Sequence, residues 1–489
     1  MTNLIEWLFE NNKDSQKIAL SEKESAITYN KLYKRILSNS KTLSELIGSD
    51  KNILLISENS IFFVIAYLSI IASGNVCIPL KYDRNLDLKK LKDLTNSKTI
   101  FIPEKYSNLV NNLDFENILN ENFMKKENLL ENYKLGDFHP DKIAVIMFTS
   151  GSTNEPKGVM ISHKNIIHNT KSIISGLDIS ERDKILVVLP FYYCFGASLL
   201  HTHLRAGAEI IINNDFMFPQ NILDNLIKKQ CTGIAGVPTI FQILLRKTKI
   251  KEMNFPYMRC VQQAGGKLAD SYLKELIEIF GQDKIFIMYG QTEATARLSI
   301  LNPKYLGGKL GSIGKGVEGT ELFILDSDGN PIKDGEIGEI CAKGDNVMLG
   351  YYNDKEETKK KIVNEILRTG DLGKIDKDGF IFITGRKSDF IKTRGHRVSI
   401  KKIEEIISEI PGIVEVAIIG VEDNPFGEKI IAYISADKVT PKEISSYCSK
   451  KLQSHEIPSE FIFLKELPKT QSLKVDYIRL QEEHSPKNV

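Results

Sequence analysis

Apolar and polar positions along this chain fall into blocks whose period switches repeatedly between helix and strand. A one-face helical pattern over residues 30–47 stops at Gly48, and the unbroken apolar run Asn52-Ile53-Leu54-Leu55-Ile56 follows it. A helix at 61–73, a strand at 76–78, a helix at 86–95 and a strand at 99–102 come next. Unbroken apolar strands separated by helices predict a parallel sheet covered on both faces. A second series places strands at 185–189, 209–212, 233–236, 258–263 and 284–288. From Gly311 the texture changes to short strands and glycine turns, as in Asp326-Ser327-Asp328-Gly329-Asn330-Pro331 and Asp376-Lys377-Asp378-Gly379, which predicts hairpins or a small barrel. The last hundred or so residues read as a small α+β module, with helices near 400–409 and 441–453 and strands at 414–421, 429–435 and 460–464. The fold class is therefore α/β: a large N-terminal domain with two helix-covered, mostly parallel sheets and a barrel-like part, then a small C-terminal α+β domain. The expected boundary lies at Gly385-Arg386-Lys387-Ser388-Asp389, dividing 1–385 from 386–489.

A length of 489 residues agrees with more than one core. Charge narrows the choice of partner: 65 basic against 63 acidic residues give a net charge of +2 and no support for nucleic acid. The six cysteines contain no C-x-x-C pair, which suits a reducing compartment. Residues 1–12 lack the basic start and long apolar core of a secretion signal, and the apolar stretch 61–73 is too short to span a bilayer. A cytoplasmic protein without a membrane span is expected.

Candidate chemistry is densest at residues 149–158, T-S-G-S-T-N-E-P-K-G, after the apolar run 144–148 and before a helical pattern in which Ile166, Ile167, Thr170, Ile173 and Ile174 share a face and Gly176 supplies a stop. Hydroxyls at Thr149, Ser150, Ser152 and Thr153, flexible backbone at Gly151 and Gly158, and the charge of Lys157 offer donors to a polyphosphate. Taken alone, the loop equally fits a solvated surface turn. Met288-Tyr289-Gly290-Gln291-Thr292-Glu293 lies where a buried strand ends, the usual place for ligands in open α/β sheets. There Tyr289 can stack on a base, Thr292 can donate to a phosphate, and Glu293 can hold Mg2+ through oxygen. Asp371, after the tight turn Arg368-Thr369-Gly370, suits a pair of ribose hydroxyls, and Lys474 sits on the loop Pro468-Lys469-Thr470-Gln471-Ser472-Leu473.

In this order the pieces resemble the adenylate-forming superfamily: acyl-CoA synthetases, adenylation domains of peptide synthetases, and luciferases. The resemblance runs from Ile27-Thr28-Tyr29 through Gly385-Arg386 and Thr393-Arg394-Gly395-His396-Arg397-Val398 to Lys474. It implies an enzyme that activates a small carboxylic acid with ATP and Mg2+ as an acyl-adenylate, releases pyrophosphate, and passes the acyl group to a thiol, most often coenzyme A. It also implies roles. The 149–158 loop would hold the β- and γ-phosphates; Thr292 and Glu293 would serve the α-phosphate and Mg2+. The Ala264-Gly265-Gly266 turn and Tyr289 would flank adenine, Gly290 would also belong to the nucleotide site, and Asp371 and Arg386 would hold the ribose. Lys474 matches the catalytic lysine, and Ser388 the hinge between half-reactions. Tyr193, Phe195, Gly196, Val237 and Met288 would line the acyl pocket.

Several positions depart from the family's commoner residues. Asn154 replaces a glycine, Leu473 replaces the glycine before the lysine, and Tyr477 stands where arginine is frequent. Gly196 occupies the place where amino-acid-activating relatives carry an aspartate, which argues against an α-amino acid and, with Val237 and Met288, for an acyl group of little charge. The alternating pair His201 and His203 has no third ligand in view, so no metal is expected there. Two further readings stay open: a ligase that loads the phosphopantetheine of an acyl carrier protein, and a non-catalytic nucleotide-binding relative, to which only Leu473 points.

Overall fold

The computed structural model describes residues 3–83, 86–125, 133–149, 157–215, 218–386, 390–393, 396–423, 427–470 and 473–484. Among these, a seven-stranded sheet runs Gly350–Tyr351, Lys157–Ser162, Ile143–Thr149, Val76–Leu80, Asn52–Ile56, Thr99–Phe101, Asn117–Leu119. Its last five strands are parallel, as their unbroken apolar runs predict, and Lys157–Ser162 and Gly350–Tyr351 pair antiparallel at one edge.

A second sheet has a parallel centre formed by Ile18–Glu22, Glu209–Ile212, Lys184–Val187, Gly233–Gly236, Cys260–Gln263 and Ile285–Tyr289. Beyond Ile285–Tyr289 it continues edge to edge into antiparallel strands: Ser299–Leu301, Ser312–Gly316, Ile381–Arg386, Ile366–Ile375, Gly338–Gly344 and Thr320–Leu325. The expected barrel-like part is thus an extension of the second sheet. Its hairpin turns are built as their sequences imply. The Asp326 carboxylate accepts from the backbone N–H of Asp328 and Asn330, and Asp376 does the same for Asp378 and Phe380.

Helix Ile61–Ala72 is apolar on every side because both sheets bury it; it contacts Asn52–Ile56 and Val76–Leu80 of one and Ile18–Glu22 of the other. Ser60 caps it, accepting from the Phe63 N–H at 3.0 Å. No helix among the described residues is long and apolar enough to cross a membrane. The six cysteines are free thiols. His201 and His203 are buried on helix Cys194–Ala206, and no group of side chains fit for a metal occurs among the described residues.

Helix His163–Leu177 differs from expectation at its end. It runs through Gly176 and stops at Asp178, whose φ of 52° is left-handed. Gly176 is instead a close-packing position: a Cβ there would meet Ile300 Cδ1 at 2.6 Å.

In the C-terminal part, Ile413–Glu422, Glu428–Ala436 and Glu460–Phe463 form a three-stranded sheet. Helices Ile400–Ser408 and Pro441–Lys451 place Ile403, Ile407, Ile444 and Cys448 in one core with Ile418, Ile430, Ala432 and Ile434. The other face holds Ala417, Ile419, Ile431 and Tyr433 against Leu467 and Leu480. This core meets the large part through Tyr272, fully buried, whose hydroxyl donates to the carbonyl of Ile413 at 2.9 Å and lies 3.2 Å from that of Val414. Lys247 pairs with Asp437 at 3.1 Å, and Lys267 pairs with Glu405.

Replacing Tyr272 by Phe removes one buried hydrogen bond, worth about 1 kcal/mol, from this junction alone. Proteolysis between the two cores should then quicken about fivefold. An unchanged cleavage rate would show that the hydroxyl does not hold the two parts together.

Candidate active site

The carboxyl end of strand Ile285–Tyr289 is the floor of the site. Its turn depends on Gly290, where a Cβ would fall 1.7 Å from the Ala296 carbonyl oxygen, so no side chain fits. The chain then makes the single turn Thr292–Ala294. Thr292 is buried, and its hydroxyl donates to Cys194 Sγ at 3.4 Å. Glu293 is half-buried; its Oε1 accepts from the Tyr351 hydroxyl at 2.7 Å and its carbonyl from the Met348 N–H at 2.9 Å.

The antiparallel register sets Asp371 directly opposite Arg386. Arg386 Nε donates to Asp371 Oδ1 at 2.6 Å, and the Tyr289 hydroxyl donates to Oδ2 at 2.6 Å. Asp371 is only 4 % exposed, so its charge is held by fixed donors rather than by bulk water. Tyr289 is itself buried among Ala294, Leu298 and Ile313, which fixes its ring. Burial, then the neighbouring Asp371 charge, push its phenol pKa well up.

Of the glycine- and hydroxyl-rich loop, Ser150, Gly151, Ser152 and Thr153 lie outside the described residues, as does Ser388. The loop's two ends are clear. Thr149 and Lys157 pair in antiparallel register, and the Thr149 hydroxyl reaches the Lys157 carbonyl at 3.4 Å. The segment therefore closes a hairpin, and strand Lys157–Ser162 separates it from the helix that the sequence pattern places next. Lys157 Nζ contacts Glu357 Oε1 at 2.8 Å and lies 5.4 Å from the Tyr351 ring centre. Lys157 and Glu293 thus flank one tyrosine. A single carboxylate with a spare oxygen fits Mg2+, which is usually held by one or two carboxylates together with substrate phosphates.

Lys474 comes from the C-terminal part. A Cβ built on Gly265 would lie in ordinary contact with its Cε at 3.4 Å, which sets the lysine beside Gly265, whereas the positive φ of 85° and Val237 Cγ1 at 2.8 Å are what require glycine there. Enclosure by protein, then the Arg386 guanidinium, lower the Lys474 pKa, against the opposing pull of Cys194, Asp371 and Glu293. Its side chain is nonetheless exposed to solvent. The loop that carries it is tied by Thr470 N–H to the Lys474 carbonyl at 2.8 Å and Leu473 N–H to the Thr470 carbonyl at 3.1 Å. Leu473 adopts φ 63°, so the backbone has kept the left-handed turn that a glycine would make freely. That costs about 1–2 kcal/mol in a leucine, and its side chain packs on the large-domain core in compensation. Tyr477 donates to Glu404 Oε1 at 2.6 Å and sits 3.2 Å from Lys401 Nζ, anchoring the terminal helix to helix Ile400–Ser408.

Around the acyl positions, Val237 and Met288 are buried and Tyr193 and Phe195 half-buried. Gly266 is tied in by Gln263 Nε2, which donates to its carbonyl at 2.7 Å. Gly196 has a different meaning from the one its sequence suggests. A Cβ there would lie 2.0 Å from the Pro190 carbonyl oxygen, so the main chain demands glycine and the position says nothing about substrate charge.

Three residues that no motif signalled, Tyr351, Glu357 and Arg297, belong to the same neighbourhood, as does Cys194 of the acyl-wall stretch. Arg297 is 1 % exposed, its guanidinium lies 4.5 Å from the Phe195 ring centre, and burial pushes its pKa down to about 10. A desolvated cation–π contact contributes about 2 kcal/mol, less than the several kcal/mol that an unpaired buried charge costs.

The Gly196 contact generates a direct check. Gly196→Ala should lower stability by about 1–3 kcal/mol through forced backbone movement, seen as a lower melting temperature without any ligand. A normal melt with a changed acid preference would return Gly196 to the pocket wall.

Comparison with known proteins agrees with this geometry. Residues 9–352 match the family described as AMP-binding enzyme, and 402–474 match the AMP-binding enzyme C-terminal domain. YngI of Bacillus subtilis (strain 168), named as an acyl-CoA synthetase, is 32 % identical over 357 residues, 71 % of this chain and 65 % of that protein. The 2-succinylbenzoate–CoA ligase of the same organism is 28 % identical over 486 residues, 97 % of each chain. Among solved structures, ATP-bound MatB from Rhodopseudomonas palustris superimposes with a TM-score of 0.88 at 26 % identity, covering 99 % of this chain and 98 % of that one. O-succinylbenzoate coenzyme A synthetase from Bacillus subtilis with ATP and magnesium gives 0.85 at 25 % identity and 99 % coverage of each. With residues 9–352 and 402–474 matched by the two models of one enzyme family, this chain belongs to the AMP-binding enzyme family.

Proposed function

We propose that this cleft carries out both halves of an ATP-dependent acid–thiol ligation, with Lys474 as the group that switches the first half on. In the first half a carboxylate oxygen attacks the α-phosphorus of ATP, the bond to the β-phosphate oxygen breaks, and pyrophosphate leaves with its electron pair. In the second, a thiolate attacks the acyl carbon and AMP departs. Coenzyme A is the thiol; ATP and Mg2+ are required. The carrier-protein alternative has no observation in its favour.

Two anions meet in the first step, so the site must supply positive charge where they approach. Lys474 is the cation placed for it, over Gly265 and within electrostatic reach of Glu293 and Asp371. This single placement carries the reading: a lysine from one core lies in the cleft of the other, its pKa lowered by its surroundings. It also weighs against the non-catalytic alternative, because Leu473 has not displaced the loop.

The remaining roles follow the donors present. Thr292 serves the α-phosphate; Ser150, Gly151, Ser152 and Thr153, with Thr149 and Lys157, serve the outer phosphates. Gly265, Gly266, Tyr289 and Gly290 border adenine, and Tyr289 additionally steadies Asp371, which with Arg386 receives the ribose hydroxyls. Glu293 would hold Mg2+, which when bound neutralises phosphate charge. Tyr193, Phe195, Val237 and Met288 contact the acyl group. Residues 1–385 bind ATP and acid, and 386–489 move about Ser388 between half-reactions; a separate core beginning at Ile391 supports that division.

Lys474→Ala should reduce acyl-adenylate formation by about 10²–10³ while thioester formation from supplied acyl-adenylate continues near its normal rate. Equal loss in both would make the lysine structural. Glu293→Gln should raise the Mg2+ concentration needed for half-maximal adenylation, and an unaltered Mg2+ curve would remove Glu293 from that role.

A further inference from the structure

Lys157 stands at the end of the hydroxyl-rich loop with an anion already at its ammonium: Glu357 Oε1 accepts from its Nζ at 2.8 Å. The partners are 200 positions apart, so the fold makes this pair and the local sequence does not. Strand Lys157–Ser162 lies against Gly350–Tyr351, with Tyr351 opposite Val159. The Thr358 hydroxyl accepts from the Tyr351 N–H at 2.8 Å and donates to the Asp354 carbonyl at 2.7 Å. Asp354 Oδ1 in turn caps helix Lys355–Lys361, accepting from the Glu357 N–H at 2.9 Å. Three local bonds thus present Glu357 to Lys157.

Tyr351 makes the pair part of the site. It is buried; its hydroxyl donates to Glu293 Oε1 at 2.7 Å and its ring lies 5.4 Å from Lys157 Nζ. The two charged ends are within reach of a ligand, since the side chains of Lys157 and Glu357 are 21 % and 31 % exposed. Glu357 Oε2 also lies 3.4 Å from Lys360 Nζ, so the carboxylate keeps a cationic partner when Lys157 leaves it. The Lys157 hydrogen bond, against burial and with help from Lys360, lowers the Glu357 carboxyl pKa, which keeps it ionised near neutral pH. An ion pair this open to water is weak, whereas a polyphosphate offers the lysine several charged oxygens at once.

We infer that Glu357 is a built-in competitor for the outer phosphates of ATP: it pairs with Lys157 in the absence of nucleotide, yields it to the β- and γ-phosphates, and takes it back as pyrophosphate leaves. This inference rests on the assignment of Lys157 to the outer phosphates. It makes Glu357 a determinant of nucleotide specificity. The carboxylate weakens the binding of ATP and pyrophosphate but not of AMP, which has no phosphate to reach the contested lysine.

Equilibrium binding of ATP, pyrophosphate and AMP to the full chain, by calorimetry with Mg2+ and without acid, tests this. Glu357→Gln, which keeps the shape and removes the charge, should tighten ATP and pyrophosphate about fivefold and leave AMP unchanged. Glu357→Ala, which also removes the acceptor for Lys157, should gain at least as much. In a Lys157→Met background neither substitution should help, because no lysine is left to contest. A gain that persists there would make Glu357 a simple repulsive charge, and equal tightening of AMP would make its effect a general one; either overturns the inference. Weaker ATP binding in both variants also overturns it, by making Glu357 part of the phosphate site. Unchanged ATP affinity in both overturns the inference and leaves the adenylation reading standing, whereas a wild-type protein that binds neither ATP nor AMP overturns both.

Discussion

In the function proposed above, one ammonium group works against a part of the protein to which its own hydrophobic core does not belong, and the rest of the proposal depends on that contact. Lys474 belongs to the C-terminal part, yet it lies beside Gly265 of the large part, where the proposed reaction brings two anions together. Gly265 beside it has no Cβ because of its positive φ and the closeness of Val237, and the turn before the lysine needs a left-handed backbone even though leucine stands there. Tyr272 ties the start of strand Ile413–Glu422 to the large domain with one buried hydroxyl. If the C-terminal part moves between half-reactions as proposed, these ties have to form and release.

The same economy governs the nucleotide side. Asp371 joins three strands of the second sheet, since Tyr289 ends the last parallel strand and Arg386 ends strand Ile381–Arg386 of the antiparallel extension. A ligand with paired hydroxyls approaching that carboxylate therefore meets an acceptor whose orientation is already fixed. Preorganisation of this kind saves reorganisation during the reaction.

Much of this was legible in the residues. The runs at 52–56 and 233–236 read as buried parallel strands because nothing polar interrupts them, and the Asp–x–Asp–Gly turns read as hairpins because aspartate can accept from backbone two and four residues on. Thr292, Glu293, Asp371 and Lys474 stood out by motif. What was illegible depends on contacts between distant segments. Gly176 reads as a helix stop in one dimension and is a packing notch against Ile300 in three. Gly196 reads as a missing carboxylate and is a close approach to the Pro190 carbonyl. Arg297 carries no motif at all; only its burial without a partner makes it conspicuous. Tyr351 and Glu357 likewise reach Glu293 and Lys157 from a part of the chain some 200 residues later in the case of the lysine pair.

The central claim is that acid activation passes through a mixed anhydride with AMP. The most direct measurement is the fate of carboxylate oxygen: a substrate labelled with 18O in both carboxylate oxygens, incubated with ATP, Mg2+ and coenzyme A, followed by mass analysis of the nucleotide. Attack on the α-phosphorus and cleavage of the acyl carbon–oxygen bond leave one labelled oxygen in AMP. Label recovered in inorganic phosphate with ADP as the nucleotide product would contradict the account, because the acid would then have been activated as an acyl phosphate.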